Sequence, residues 1–132
     1  LKIHQYEIMS SPTTSQFAAI SALKNGDDDI SYMKAEYDRR RTIIYQKLLD
    51  MGIDSFEPKG AFYIFINCKS LGMTSADLSA YLLENAKIAM VPGDVFGPGG
   101  EGYLRMSFAN SYENIVEGCA NLKKAVEQLR AK

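Results

Sequence analysis

Apolar residues recur along this chain in two rhythms, and the changes between them mark its elements. The run from Pro12 to Leu23 predicts a helix, with proline near its first turn and Gly26 just past its end. Asp27, Asp28 and Asp29 then crowd the start of a second helix, where negative charge suits the positive end of the dipole. Ile30, Met33, Tyr37, Ile44, Leu48 and Met51 repeat at helical spacing up to a stop at Gly52. Arg40 and Arg41 interrupt that stripe midway, which suits a long helix bridging two packed regions. Ala61 to Asn67 is a dense aromatic and β-branched run, a buried strand. Thr74 with Asp77 forms a capping box that opens a helix through Leu78, Tyr81 and Leu82.

Further along, the two-residue period returns. Lys87 to Val91 and Gly102 to Ala109 read as strands; in the second, Leu104, Met106 and Phe108 alternate with Tyr103, Arg105 and Ser107. Asn110 with Glu113 is expected to cap the last helix, whose Ile115, Cys119, Leu122, Val126 and Leu129 form one apolar face. The order helix, helix, strand, helix, strand, strand, helix predicts an α/β fold with a sheet covered by helices.

Composition narrows the classes. A chain of 132 residues with 46% hydrophobic and 23% charged residues is ordinary for one globular domain with a real core. A net charge of −1 leaves no footprint for nucleic acid or an anionic membrane. No apolar run approaches bilayer length and no signal-peptide pattern opens the chain, so a cytoplasmic setting is expected. The start Leu-Lys-Ile lacks an initiator methionine, as in a fragment or processed product.

Little of the chemistry is conspicuous. Gly97, Gly99 and Gly102 match G-x-G-x-x-G, but a dinucleotide cradle needs a helix after the turn to face the phosphates, and here a strand pattern follows. The match is therefore a strand-to-strand loop, expected to be flexible. His4 is the only histidine and stands near the end of the chain, which excludes a zinc cluster or a Ser-His-Asp triad within this chain. Ser21–Lys24 and Ser31–Lys34 each spell S-x-x-K inside helical segments, without the accompanying motifs of that chemistry. Cys119 belongs to a helix stripe, and Cys68 ends a strand with no histidine nearby in sequence. Arg105 resists so plain a reading. It sits in mid-strand with Tyr103 and Ser107 on its face, after a glycine-rich loop carrying an exposed Phe96. A planar guanidinium there suits a carboxylate or a phosphate.

The strings PKGAFYIF (Pro58–Phe65) and VPGDVFGPGGEGYLRMSFAN (Val91–Asn110), with the helix of Pro12–Leu23, resemble the C-terminal part of class I/II aminotransferases. These are pyridoxal-phosphate enzymes of fold type I, and the resemblance covers essentially the whole chain. It implies a two-layer small domain over 27–132, with a mainly antiparallel or mixed sheet and a long interdomain helix before it. Residues 1–26 would hold the terminal helix of an otherwise missing large domain. It implies that Arg105 clamps the α-carboxylate of an amino-acid substrate and that Phe62 lies towards the substrate side chain. Amino-acid and 2-oxo-acid substrates, pyridoxal phosphate and a homodimer are implied for the full-length enzyme.

One departure limits the resemblance. The family's Schiff-base lysine follows serine, and this chain has no Ser-Lys dipeptide; Lys59 is outside that motif. The chain alone is therefore expected to bind no cofactor and to be inactive. A C–S lyase of the same fold and a non-catalytic, aminotransferase-like regulatory module are the alternatives.

Overall fold

In a computed structural model the chain is described over residues 1–7 and 10–131. It divides into two compact units, Leu1–Glu36 and Tyr37–Lys132.

The first unit is helical. It comprises α1 (Lys2–Glu7), α2 (Thr13–Asn25) and the opening of α3, which runs Asp27–Asp50. The Pro12–Leu23 pattern is recovered in α2, where Pro12 occupies the N-cap position and Gly26 donates its N–H to the Ala22 carbonyl at 2.9 Å. Sequence periodicity did not reveal α1, a single short stretch with no buried residue. None of the described residues up to Ala35 is buried: Phe17 is 69% exposed and Leu23 87%. Ile30 and Met33, which begin the apolar stripe of α3, are exposed too.

The second unit holds the core. After the remainder of α3 come β1 (Tyr63–Asn67), α4 (Ser75–Ala86), β2 (Val91–Pro92), β3 (Tyr103–Ser107) and α5 (Tyr112–Arg130). The sheet has the order β1-β3-β2 with both pairings antiparallel, so the α/β expectation holds with an antiparallel sheet. Ile64 and Ile66 of β1 and Leu104 and Met106 of β3 share one face. They join Leu78 and Leu82 of α4, Ile115 and Leu122 of α5, and Ile44 and Leu48 of α3 in one buried cluster. Each such side chain contributes about 1.5–3 kcal/mol by leaving water.

Local chemistry sets the boundaries. Gly52, at φ 65°, lets the chain turn back after α3, and the Ile53 N–H returns to the Leu48 carbonyl at 2.9 Å. Thr74 caps α4 as its sequence predicts, accepting from the Asp77 N–H at 3.2 Å.

Several boundaries differ from the sequence reading, and the strand expected over Gly102–Ala109 is the shorter Tyr103–Ser107. The strand expected from Ala61 begins at Tyr63, because Ala61 takes φ 56° and cannot enter the ladder. The strand expected over Lys87–Val91 pairs only from Val91 onward. Lys87 closes α4 in the left-handed conformation at φ 57°, and the Met90 carbonyl is taken by the Ser79 hydroxyl at 2.7 Å. The segment still alternates, with Ile88 and Met90 buried, which is the signal the pattern detected. At α5 the cap is Ser111, accepting from the Asn114 N–H at 3.2 Å, instead of Asn110 with Glu113. Asn110 accepts from the Ser111 N–H at 2.8 Å and so braces the cap from one residue earlier.

Candidate functional site: an arginine on the open face of the sheet

Because β-strand side chains alternate, the positions between the core residues share the other face of the sheet. Tyr63, Phe65 and Asn67 of β1 and Tyr103 and Arg105 of β3 are half-buried there, and Ser107 is exposed. Arg105 lies on the middle strand, directly opposite Phe65 on β1 and Val91 on β2. An arginine flanked on both sides by apolar residues is unusual company for a solvated strand charge.

Two aromatic rings hold it. The guanidinium carbon is 4.3 Å from the centroid of Tyr63 and 4.6 Å from that of Phe96. Both distances are within cation–π range. No hydrogen-bond acceptor or carboxylate meets the Arg105 guanidinium among the described residues. The other arginines differ. Arg41 donates to Glu57 at 2.7 Å and to Asp38 at 2.8 Å, which raises its pKa through the bond to Glu57 first and to Asp38 second. Arg130 donates to the Met51 carbonyl at 2.6 Å and to that of Gly52 at 3.2 Å, closing the end of α3. Arg39 and Arg40 are engaged as well. Arg105 thus keeps a set of directed donors that the fold does not use.

Phe62 stands at the edge of the same cluster. The left-handed turn at Ala61 delivers it, and its carbonyl accepts from the Phe108 N–H at 2.9 Å. The residue is 39% exposed, its ring stacked 6.1 Å from that of Tyr37 and tilted 46° to that of Tyr63 at 4.5 Å. Both residues singled out from the sequence, Arg105 and Phe62, therefore touch one ring, that of Tyr63. Sequence reading did not assign Tyr63 a role. Its place two residues from Phe65, on the face of Arg105, was the available signal.

The glycine-rich loop has more order than its composition suggests. Gly93–Phe96 and Pro98–Gly100 each form a 3₁₀ turn, and β3 follows instead of a helix, which disposes of the dinucleotide motif. A Cβ on Gly93 would collide with the Gly100 carbonyl oxygen, and one on Gly100 with that of Gly93. Past the turns, the Glu101 carboxylate accepts from the Ser75 N–H at 2.9 Å, at the N-terminus of α4. The Ser75 hydroxyl in turn accepts from the Gly102 N–H at 2.7 Å. The expected flexible connection is in fact clasped to α4.

The remaining candidates carry no chemistry. His4 is exposed in α1, and both S-x-x-K strings lie within helices. Burial pushes the Cys68 thiol up to about 12 and raises that of Cys119, so both stay neutral and unreactive at ordinary pH. No group of acidic, histidine or cysteine side chains able to hold a metal occurs among the described residues. A separate groove of about 430 Å³ opens beside Lys87–Ala89 and the first turns of α5, and neither Arg105 nor Phe62 lines it. No helix among the described residues is long and apolar enough to cross a membrane.

The chain has clear relatives. Its sequence is 47% identical over 124 residues to a Bacillus subtilis (strain 168) protein that bears an aminotransferase name, covering 94% of this chain and 32% of that protein. It is 42% identical over 129 residues to the aspartate aminotransferase of Pyrococcus horikoshii, covering 96% of this chain and 33% of that protein. Among solved structures it superposes on a Pyrococcus protein, protein-A1, with a TM-score of 0.93 at 37% identity, over 98% of this chain and 34% of that one. The chain thus spans about a third of the length of the curated relatives it matches. The family profile of aminotransferase class I and II matches residues 3–122. With sequence, fold and family profile agreeing over nearly all of its length, the chain belongs to the class I and II aminotransferases.

Proposed function

We propose that this chain is the C-terminal part of a pyridoxal-phosphate-dependent aminotransferase, and that Arg105 binds the α-carboxylate of its amino-acid and 2-oxo-acid substrates. In this reading residues 1–26 belong to the large domain and 27–132 form the small one, with Phe62 placed beside the bound substrate's side chain. The observation that carries the reading is the state of Arg105: held by two rings, on an open sheet face, with no acidic partner among the described residues. A carboxylate presents two coplanar oxygens to a guanidinium, and paired charge-assisted hydrogen bonds orient it as well as bind it. Orienting the reacting carbon through a group that does not itself react is an effective source of rate.

Among the described residues no lysine is enclosed beside Arg105. A lysine that forms a covalent link to a carbonyl must be able to give up its charge, which desolvation promotes. Every described lysine is exposed. Lys87 donates to the Glu84 carbonyl at 2.9 Å and Lys69 lies 4.9 Å over the Tyr103 ring, so neither is enclosed beside Arg105. In this reading the contribution of this chain is to bind and orient substrate through Arg105.

The test is Arg105→Lys in the full-length parent protein, with amino-acid binding measured by titration. Lysine keeps the charge and loses the paired geometry, so affinity should fall about ten- to a hundredfold, the equivalent of roughly 1.5–3 kcal/mol. The loss should be similar for every amino acid, since all carry the α-carboxylate. Unchanged affinity in a folded variant would refute the assignment.

A further inference from the structure

Phe96 is 50% exposed, so burial alone does not account for a phenylalanine at that position. Its ring makes two directed contacts, an edge-on approach to Phe65 at 5.6 Å and the approach to Arg105 at 4.6 Å. The loop that carries it is clasped at Gly93 against Gly100 and tied to α4 through Glu101 and Ser75. Tyr63, the second ring on Arg105, is fixed independently by its place in β1, where it pairs with Ser107. Two rings, from two separately anchored segments, therefore converge on one guanidinium that makes no hydrogen bond among the described residues.

We propose that Phe96 and Tyr63 are positioning residues for Arg105, holding its guanidinium in a binding-ready orientation before the substrate carboxylate arrives. This rests on the carboxylate-binding role of Arg105. An arginine side chain has many rotamers, and the freedom it loses on binding subtracts from affinity. An acidic partner would hold it as well but would compete with the substrate for the same donors. Aromatic faces hold the cation through its flat surface and leave the N–H groups available. The arrangement orients the arginine without occupying it.

The experiment uses the full-length protein and four probes: L-aspartate and L-phenylalanine, and β-alanine and phenethylamine, which lack the α-carboxylate. Phe96→Leu and Tyr63→Leu should each raise the dissociation constants of the amino acids about three- to tenfold, with β-alanine and phenethylamine unaffected. Phe96→Tyr and Tyr63→Phe, which keep a ring, should restore amino-acid binding. Thermal unfolding of each variant should match the parent, showing that the fold is intact. Equal weakening of all four probes would mean that the rings touch the rest of the substrate, and would overturn the proposal. So would unchanged amino-acid affinity in both leucine variants. Arg105→Lys, run alongside, separates the two levels. If it too leaves amino-acid binding intact, the carboxylate-binding role itself falls. If it weakens binding while the leucine variants do not, only the positioning role falls.

Discussion

The two compact units of this chain have similar apolar patterning and opposite fates for it. In Leu1–Glu36, Phe17, Ile20, Leu23, Ile30 and Met33 are all exposed, although α2 and α3 are well-formed helices. In Tyr37–Lys132, Ile44 and Leu48 continue the same α3 stripe into full burial, joined there by a sheet and two further helices. Helical periodicity thus reports that a face is apolar, and the burial of that face needs a second layer. The sheet repeats the contrast on a smaller scale. Its Ile64–Leu104 face closes the core, while its Phe65–Arg105 face stays open and carries the candidate site.

The largest effect that sharpens this contrast is expected from Phe108→Ala, since Phe108 is 1% exposed in the core of the second unit. Urea denaturation of the chain should show a loss of about 3–5 kcal/mol. A loss under 1 kcal/mol would mean that the core is not packed as described. Next comes Ser75→Ala, which removes the acceptor for the Gly102 N–H inside the clasp between α4 and the loop. The expected cost is about 1–3 kcal/mol, from leaving a buried donor unsatisfied. Amide hydrogen exchange should quicken first at Gly102 and Ser75; exchange that is unaltered there would show the clasp to be dispensable.

A milder effect concerns alkaline pH. Burial favours the neutral thiol of Cys68, so its contribution to stability is complete below the ordinary thiol range of about 8.5. That contribution is lost as pH rises towards the folded value of about 12. Unfolding midpoints should therefore fall with pH above about 8.5, and less steeply in Cys68→Ala. Equal slopes in the two proteins would place the effect elsewhere. Smallest of all should be Phe17→Ser in the first unit, within about 0.5 kcal/mol of the parent chain. A cost comparable to that of Phe108→Ala would erase the distinction between the units.

Much of this architecture was legible in the residues because its causes are local. The stripes of α2 to α5, the capping box at Thr74 and the alternation of β3 each follow from neighbours within a turn or a pleat. Arg105 stood out for the same reason, as a charge among aromatic and small polar neighbours. What escaped the reading depends on partners distant in sequence or on one backbone angle. The tie from Ser75 to Glu101 spans 26 residues, and nothing near either residue announces it. Lys87 enters the left-handed region without being glycine and so closes α4, and the Ser79 hydroxyl takes the Met90 carbonyl, so an alternating pattern that looked like a strand pairs only from Val91. Asn110 and Ser111 are both competent caps one residue apart; Ser111 takes the cap, and the Asn110 side chain accepts from the Ser111 N–H instead. Tyr63 gained its importance only when β1 was set beside β3 and its ring met both Arg105 and Phe62.

The back-to-back contact of Gly93 and Gly100 also governs how this region tolerates change. It fixes the number of residues between those two points, whatever chemistry stands at Asp94, Val95 or Pro98. Substitution there alters the surface of the loop and leaves its path alone. Insertion or deletion of even one residue would carry the ring at position 96 away from the strand it leans on. Among variants of this protein, loop length should therefore be held constant while loop sequence drifts, and any redesign of this surface has letters to exchange but none to add.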